Sequence, residues 1–550
     1  EQMEAQCEGL IRRGQFLCAS GTETVPDGTL TGCYSFLHAL YQSVVYERVG
    51  ASQRVRLHRR IGERLEAAYG PRAGEIAAEL AVHFEQGRDY QRAVQYHQQA
   101  AANATKRSAN AETIAHLTRG LELLRALPDT RERAQLELSL QLALGAPLIA
   151  TKGYAAQETG QAYTRARELC QQLGDTPQFF PVLFGLTAFH VVRGEFRTAR
   201  ELSEQLLRLA QSVQDPALLV PARHALGQTL YYLGELVSAR EHLEQGIAVY
   251  DPQKHHSLAL LYGTDPGVHC LVFMAFVLWS LGYPDRALKR AHEALILARR
   301  FSYPFSLVLA LIGMTGVHLF RREAQATQEW AEATIALCTE QGFASLLALG
   351  TIFQGWALTE QGQRKERIAQ IRSGLADHRA SGGVMRSSYF ALLAEAYGKT
   401  GQPEEGLSVL TEALALVQKT EEHRWDAELY RLKGQLTLQT VQVSGSKLQG
   451  QPKQKAKGKI RRSPLPNTQQ LISSTSSEAE AYFLKALEIA RRQQAKSLEL
   501  RAAMSLSRLW QQQGKKIEAR QLLAKVYNWF TEGFDMKDLQ EAKALLEQLS

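Results

Sequence analysis

The sequence predicts an all-α fold, an α-solenoid superhelix of helix-turn-helix repeats of roughly 40 residues that follows a small N-terminal module. Three observations support this prediction. One stretch, 216–252, has the pattern of a complete repeat, and similar turns recur along the chain at a nearly constant interval. The chain of 550 residues is also too long for one compact core, since single cores seldom extend beyond about 300 residues.

The stretch 216–252 alternates small and large residues over two predicted helices. The residues of this pattern are Leu226, Gly227, Leu230, Gly234, Ala239, Leu243 and Gly246. Gly227 and Ala239 lack bulk, so the two helices can cross closely while the leucines fill the space on either side. Gly234 lets the chain turn between the helices. The spacing resembles that of the tetratricopeptide repeat.

Comparable turns predict where the other repeats lie. They occur at Gly194, Gly234, Gly282, Arg321, Gly362, Gly401 and Gly514. Up to Gly401 the successive steps are 40, 48, 39, 41 and 39 residues, whereas the last step is 113. Within that step a first helix is predicted around Gly434, and its second helix appears only with Ala479, Phe483 and Ala486. About 33 residues are therefore inserted at a repeat turn.

The inserted segment, 441–477, differs in composition from the rest of the chain. It has no acidic and no aromatic residue, and seven Lys and Arg residues within 447–462 leave only +1 of the formal net charge of +8 for the remainder. Low hydrophobicity with Gly, Pro, Ser and Lys predicts disorder. Two interpretations stay open: a loop tolerated at a repeat turn, or weak nonspecific contact with an anion such as nucleic acid through 447–462.

Residues 1–70 do not follow the repeat, and their pattern predicts a helix, a short hairpin turning at Val25–Gly28 and two further helices. This order is winged-helix-like. The stretch from Tyr34 to Leu40 and the later Arg54, Leu57, His58, Ile61 and Leu65 resemble the end of the ATPase module of bacterial STAND-type signal-transduction ATPases. The segments 75–101, 116–128 and 529–549 also resemble that family, which includes the maltose-regulon activator and ATPases fused to nucleotide cyclases or kinases.

The resemblance implies a winged-helix module followed by a tetratricopeptide-like (MalT-like) sensor region, with a nucleotide-binding domain upstream of Glu1. Arginines and histidines cluster in 54–64, but Glu63 and Glu66 alternate with them, so we expect a solvated helix face rather than a DNA-reading surface.

The predicted domains are 1–70, a winged-helix-like remnant; 75–175, irregular helical pairs; 177–440, regular repeats; 441–477, the disordered insertion; and 478–550, final repeats with a capping helix.

Several classes of function are not predicted by the sequence. No catalytic constellation, cofactor motif or metal site emerges, and the nearest match to a phosphate-binding loop, Gly398-Lys399-Thr400, has Leu393 where the first glycine belongs. We expect this triplet to end a repeat helix and the chain to be non-enzymatic. Six separated cysteines without a C-x-x-C pair favour neither a disulfide framework nor structural zinc, and we expect a cytoplasmic location.

Two apolar runs, 270–281 and 305–320, are shorter than the roughly 20 residues of a membrane-spanning helix. Each run ends at a predicted repeat turn and is followed by a polar segment. We therefore expect two buried first helices of repeats, and no membrane as a partner.

The candidate binding site is the inner face of the superhelix, which the first helix of each repeat lines. Counting from the turns places nine residues there: His224, Gln228, Tyr231, His269, Phe276, Trp279, His318, Trp356 and Glu395. Aromatic residues and histidines suit recognition of a peptide or an amphipathic helix. The alternative for Phe276, Trp279 and Trp356 is that they are core between neighbouring helices.

The sequence thus predicts a non-catalytic interaction and sensor region that binds a peptide, protein or effector in its groove and regulates an attached ATPase, cyclase, kinase or transcriptional output. The alternative is the C-terminal part of a complete signalling enzyme with such an output.

Overall fold

The computed structural model describes residues 2–153, 155–174, 177–213, 215–301, 303–362, 365–381, 386–449 and 468–550. The chain divides into two compact units: unit 1 is Glu1–Pro147 with Glu168–Thr176, and unit 2 is Leu148–Arg167 with Pro177–Ser550. Apart from one hairpin, the regular elements of the described residues are helices, which confirms the predicted all-α class.

Unit 1 begins with a helix, a hairpin and two further helices, the order expected for residues 1–70. Its elements are α1 Gln2–Arg12, β1 Leu17–Thr24, β2 Leu30–Phe36, α2 Ala39–Arg48, α3 Ala51–Tyr69, a 3-10 turn Gly70–Ile76, α4 Ala77–Gln86, α5 Tyr90–Lys106 and α6 Asn110–Leu124. The strands pair antiparallel, from Leu17 opposite Phe36 to Thr24 opposite Leu30. Gly28 in the connecting turn has a φ of 84°, a conformation that favours glycine.

Two long helices, α7 Arg131–Lys152 and α8 Gln157–Leu173, contribute residues to both units. The remaining helices belong to unit 2. They are α9 Phe179–Arg193, α10 Phe196–Val213, α11 Pro216–Leu233, α12 Leu236–Val249, α13 Pro252–His255, α14 Leu258–Tyr262, α15 Pro266–Ser280, α16 Pro284–Phe301, α17 Pro304–Phe320, α18 Ala324–Gln341, α19 Ala344–Glu360, α20 Lys365–Ala380, α21 Ser387–Lys399, α22 Pro403–Thr420, a 3-10 turn His423–Trp425, α23 Asp426–Gln449, α24 Thr468–Arg492, α25 Lys496–Gln512, α26 Lys516–Tyr527 and α27 Lys537–Gln548.

These helices form consecutive antiparallel pairs, and each predicted turn separates the two members of a pair. Left-handed residues end the first helices at the predicted glycines, for example at Gly194 with a φ of 74° and at Gly234 with a φ of 81°. At the predicted Arg321 turn the left-handed residue is its neighbour Arg322, with a φ of 62°. The prediction of an α-solenoid of repeated helix pairs is therefore confirmed.

The step of 48 residues from Gly234 to Gly282, which is longer than the other steps up to Gly401, has a structural cause. The short helices α13 and α14 lie between α12 and α15, so the extra residues form an insertion between repeats rather than longer repeat helices. Asp265 then starts α15 by accepting hydrogen bonds from the backbone N–H groups of Gly267 and Val268 at 2.8 and 3.1 Å.

Glycines in the first helices allow the close crossings that the sequence predicts. A Cβ added at Gly227 would lie 2.7 Å from Cγ of Leu243 on the partner helix. A Cβ at Gly434 would likewise lie 2.7 Å from Cε1 of Phe483, so α23 and α24 form one repeat although the insertion separates them in sequence. The predicted continuation of the repeat across the insertion is confirmed.

The ends of the insertion are helical, which corrects the boundaries 441–477 of the predicted disordered segment. Helix α23 continues to Gln449 and α24 begins at Thr468. Extending an existing helix adds one hydrogen bond for each residue fixed, and no proline interrupts either end. The central residues 450–467, with most of the basic residues of the proposed anion contact at 447–462, lie outside the described residues.

The two apolar runs lie in α15 and α17, where most side chains are buried, as predicted. Both helices pack between neighbouring repeats and belong to one large apolar core. Within the described part of the chain, no helix combines the length and apolarity that a bilayer crossing requires.

Later repeats of unit 2 contact earlier ones. Gly194, at the end of α9, lies against Thr420 at the end of α22. Gly282, after α15, lies against Lys496 of α25 and Trp529. Each of these contacts joins elements more than 200 residues apart in sequence, so later repeats cover part of the inner face that we predicted as the binding site.

Candidate functional site

Unit 2 contains a cavity of about 270 Å³ among the first helices of its repeats. Residues of α11, α15, α17, α19, α21, α23 and α25 line it, together with residues of α27 and the end of α7. The first helices α15 and α17 contain no Asp, Glu, Lys or Arg, whereas the second helix α16 is charged along one side. The apolar first helices are therefore inside and the amphipathic second helices outside.

Six of the nine residues predicted for the inner face line the cavity: Gln228, Tyr231, His269, Phe276, Trp356 and Glu395. The other three, His224, Trp279 and His318, are not among the lining residues, because each is held within the packing of the helices. We placed these three residues on the inner face from repeat numbering alone. Repeat numbering does not take into account how closely neighbouring helices pack.

Trp279 is a core residue. Its side chain is buried, with its ring centroid 4.8 Å from that of Phe320 and 6.2 Å from that of Trp425. The guanidinium carbon of Arg501 lies 5.0 Å from the ring centroid.

His318, the second of the three, lies in the last turn of α17, with its Nδ1 2.5 Å from a carboxylate oxygen of Glu323. This contact links the end of α17 to the residue before α18 and so stabilises the turn between the two helices.

His224, the third, pairs with His269 behind the cavity wall. Nδ1 of His269 and Nε2 of His224 lie 2.8 Å apart, so one ring donates a hydrogen bond to the other. Burial lowers the pKa of His269 to about 4, and burial together with the neighbouring His269 lowers the pKa of His224 well below its usual value. The outer nitrogens, Nδ1 of His224 and Nε2 of His269, have no hydrogen-bond partner among the described residues.

Many of the residues that line the cavity are aromatic or aliphatic. Its lining residues include Phe273, Phe276, Leu309, Ile312, Phe343, Phe353 and Trp356. The rings of Phe273 and Phe276 meet edge to face with centroids 5.9 Å apart. Trp356 is oriented by a hydrogen bond of 3.0 Å from its Nε1 to Glu395, so the polar edge of this buried ring is satisfied.

Six arginines also line the cavity, and five of them are paired with carboxylates. The five pairs are Arg322–Asp538 at 3.4 Å, Arg424–Glu422 at 3.0 Å, Arg431–Glu428 at 2.8 Å, Arg501–Asp538 at 2.7 Å and Arg508–Glu541 at 3.0 Å. Burial alone would raise the pKa of Glu428, but the neighbouring arginine charges outweigh it and lower this pKa to about 2. Each of the five arginines thus has a carboxylate partner, and Asp538 is shared by Arg322 and Arg501.

Arg386 is the sixth arginine, and it has no carboxylate within ion-pair distance in the described part of the chain. Its side chain is 5% exposed. Nη2 donates a hydrogen bond of 2.9 Å to the carbonyl oxygen of Val191, and the guanidinium carbon lies 4.3 Å from the ring centroid of Tyr232 and 5.3 Å from that of Phe196. Two aromatic faces and one carbonyl thus hold a buried positive charge at the cavity wall.

The sequence analysis missed these arginines because it took charged residues as surface residues. One indication was available: α23 and α25 are first helices, yet they contain Glu428, Arg431 and Arg501, whereas α15 and α17 have no such charges. Charges inside a helix that must face inward indicate a polar site.

The phosphate-loop-like triplet ends a helix, as predicted. Lys399 is the last residue of α21, and its Nζ contacts the carboxylates of Glu360 and Glu395. Among the described residues, no group of three or more His, Cys, Asp or Glu side chains is arranged to hold a metal ion. In unit 1, the basic face of α3 is partly occupied by ion pairs, such as Arg64 with Asp27 at 2.8 Å.

Comparisons with known proteins concern the repeats. A family model for the tetratricopeptide repeat matches residues 220–245. A protein of Rhizobium meliloti (strain 1021) without an assigned function is 24% identical over 429 residues, which are 77% of this chain and 41% of that protein. The chain thus spans less than half the length of this curated relative.

Solved structures with similar helix arrangements include a Rap protein complexed with competence and sporulation factor, at 11% identity and a TM-score of 0.47, covering 72% of this chain and 99% of that one. Another is the APC/C hetero-tetramer Cut9–Hcn1, at 12% identity and a TM-score of 0.41, covering 93% of this chain and 99% of that one. Yeast Tom70 matches at 11% identity and a TM-score of 0.30, over 91% and 97% of the two chains. Residues 220–245 match the tetratricopeptide repeat, and the described helices around them also form antiparallel pairs.

Proposed function

We propose that unit 2 binds a peptide, or a short segment of a protein, in its cavity, and that this binding is the function of the solenoid. The observation that carries the proposal is the composition of the cavity wall, which combines aromatic residues with arginines and carboxylates. A peptide offers both apolar side chains and hydrogen-bonding groups, and small sites of this kind combine apolar walls with a few placed polar groups.

The aromatic and aliphatic lining residues support recognition of apolar side chains. Phe276, Leu309 and Ile312 line the cavity and are only partly buried, so they can still lose exposed surface when a ligand enters. Burial of apolar area contributes roughly 25 cal/mol for each square ångström removed from water. The rings are fixed by contacts with one another, so little side-chain entropy is lost on binding.

We further propose that the chain is the regulatory region of a larger bacterial signalling protein. The resemblance of residues 1–70, 75–101 and 529–549 to STAND-type ATPases supports this, as does the greater length of the Rhizobium relative. On this proposal residues 1–70 are a winged-helix module, the protein is cytoplasmic, and the cavity ligand controls an ATPase domain. The alternative is the C-terminal part of a complete enzyme with a cyclase, kinase or transcriptional output.

Affinity selection tests the binding proposal. A mixture of synthetic tetrapeptides with free termini is incubated with the chain, the protein is separated by size exclusion, and bound peptides are identified by mass spectrometry.

Replacing Ile312 with Trp adds bulk inside the cavity, whereas Ile296→Trp places the same bulk on α16, where the residue is 68% exposed. We expect Ile312→Trp to weaken binding of the selected peptides by about 10-fold or more, since a filled cavity excludes them.

Ile296→Trp is the matched control and is expected to bind like the unmodified chain. Thermal unfolding of both variants separates loss of binding from loss of fold. Failure to select any peptide, or equal binding by the Ile312→Trp variant, would overturn the proposed function.

A further inference from the structure

Arg386 has a charge that the protein itself does not balance. The five other arginines of the cavity wall each have a carboxylate within 3.4 Å, while Arg386 has none in the described part of the chain. An ionic group taken out of water is costly unless it is paired, and the faces of Tyr232 and Phe196 with the carbonyl of Val191 compensate only in part. An anion entering the cavity would complete this environment.

A second unsatisfied group lies on the same wall. Nε2 of His269 is buried and has no hydrogen-bond partner among the described residues, and the residue, 6% exposed, lines the cavity. Buried polar atoms of this kind are usually satisfied, so an orphan at a cavity wall indicates a missing partner. The ring of Phe273 lies near both groups: its centroid is 6.1 Å from that of His269 and 5.9 Å from that of Tyr232, the ring that Arg386 stacks on.

We infer that the cavity recognises a carboxylate attached to an apolar or aromatic group, with the carboxylate on Arg386 and the apolar part against Phe273 and Phe276. This inference rests on the proposed function and specifies its ligand. The C-terminal residue of a peptide has this chemistry, and its amide group supplies a polar partner for Nε2 of His269. A small aromatic carboxylic acid has the same chemistry without the amide.

The geometry of Arg386 suits this assignment. A guanidinium presents its N–H groups as a planar fork that matches both oxygens of a carboxylate, and among the described residues the hydrogen bond that Arg386 makes is the one from Nη2 to the carbonyl of Val191. Ser388 also lines this part of the cavity, where its Oγ accepts a hydrogen bond of 2.9 Å from Arg424. Arg424 is already neutralised by Glu422, so the attraction for an anion centres on Arg386.

The test compares acids with their amides. The same tetrapeptide mixture is synthesised with C-terminal carboxylates and with C-terminal amides, and the two forms compete for the chain in affinity selection. We expect the acids to be retained about 10-fold or more over the amides, since a charge-assisted bidentate contact is lost in the amide. Titrations with 3-phenylpropionate and 3-phenylpropionamide distinguish a peptide C-terminus from a small aromatic acid as the ligand. Binding of 3-phenylpropionate would show that a carboxylate and a ring suffice. Binding of peptide acids alone would show that the cavity also recognises the peptide amide.

Substitutions at Arg386 test whether this residue causes the preference for acids over amides. In Arg386→Gln the acid-to-amide ratio is expected to fall to about one, whereas Arg386→Lys, which keeps the charge, retains a reduced preference. Arg240→Gln is the control, because Arg240 lies on α12, where it is paired with Glu244 at 2.8 Å and is not among the residues that line this cavity, so the ratio should stay that of the unmodified chain. The ratio is measured within each variant, so a change in overall affinity or stability does not mimic the result.

Peptides that bind equally as acids and amides would overturn the inference and leave the proposed function standing. An acid preference that persists in Arg386→Gln would overturn it as well. If no peptide of either form and no phenylpropionate binds, the inference and the proposed function both fail.

Discussion

The buried histidine pair shows how strongly the interior of unit 2 restricts ionisation. His224 and His269 share a hydrogen bond of 2.8 Å, and neither has a carboxylate within ion-pair distance among the described residues. Burial depresses the pKa of both rings, to about 4 for His269. In the unfolded chain each histidine has its usual pKa near 6.5. The folded protein therefore excludes protons that the unfolded chain binds.

This difference predicts a loss of stability in mild acid. Between about pH 6.5 and about pH 4 the unfolded chain is protonated at His269 while the folded protein is not, so the unfolding free energy falls as the pH falls. His269 contributes roughly 1.4 kcal/mol per pH unit within this window, and the lowered pKa of His224 acts in the same direction. We expect the double variant His224→Leu/His269→Phe to show a flatter decline in urea midpoints measured across this range.

The exposed His292 on α16 provides the control for this prediction. A His292→Phe variant should keep the pH profile of the unmodified protein. If the double variant shows the same decline of the urea midpoint with falling pH as the unmodified protein, the His224–His269 pair is not the cause of that decline.

At the scale of the elements, the left-handed glycines that end the first helices fall into two groups. Gly401 and Gly514 have open space around the missing Cβ, whereas a Cβ at Gly194 would lie 2.9 Å from Cγ2 of Thr420. Gly194 and Gly401 have the same φ of 74°, so the backbone strain of an alanine is equal at the two sites. Only the contact with a distant helix distinguishes them.

Replacing each of these glycines with alanine separates strain from contact. Gly401→Ala should cost about 1–2 kcal/mol of unfolding free energy, from the left-handed conformation alone. Gly194→Ala should cost an additional ~1–3 kcal/mol, because the new methyl group overlaps Thr420. Denaturant titrations monitored by circular dichroism measure both costs.

The double variant Gly194→Ala/Thr420→Ser tests the cause. Serine lacks Cγ2 but keeps the hydroxyl that donates to the carbonyl of Leu416 at 2.9 Å. We expect this variant to recover most of the extra cost, as a non-additive coupling between the two positions. Simple additivity would mean that Gly194 and Thr420 do not touch in solution.

For unit 2 as a whole, the contacts between distant repeats close the solenoid. Glu532 accepts hydrogen bonds of 3.0 Å from the backbone N–H groups of Asp285 and Arg286, almost 250 residues earlier. Arg321, whose side chain is 2% exposed, pairs with Asp285 at 3.0 Å and with Asp535 at 2.9 Å. An open repeat array has contacts only between neighbours, so the end of the chain here stabilises repeats in its middle.

Deleting residues 528–550 therefore should have a long-range effect. Hydrogen exchange read by mass spectrometry is expected to show lost protection at the amides of Asp285 and Arg286, because their acceptor on Glu532 is removed. The turn at Gly401 serves as the internal reference, since an added Cβ there would meet nothing within 4 Å. Loss of protection confined to α25 and α26 would show that the solenoid is open in solution.

The sequence alone was sufficient for the repeats. Gly227 with Leu243, and Gly434 with Phe483, are local pairings of small and large residues, and the turn glycines mark where each helix ends. Such features depend on contacts between helices that are adjacent in the chain or separated only by an insertion. Their periodicity is therefore visible without a structure, even across the insertion.

Only the tertiary structure decided which residues line the cavity and which of its charges are balanced. Repeat numbering placed nine residues inside, yet Trp279 is packed against Trp425 and His224 against His269. Arg386, the unbalanced charge, is indistinguishable in sequence from a surface arginine. Its surroundings come from α9, α10 and α11, some 150 to 195 residues earlier, through contacts with Phe196, Tyr232 and the carbonyl of Val191. Local periodicity determines helices and turns, whereas pairing over such separations depends on the curvature accumulated over many repeats, which no single repeat encodes.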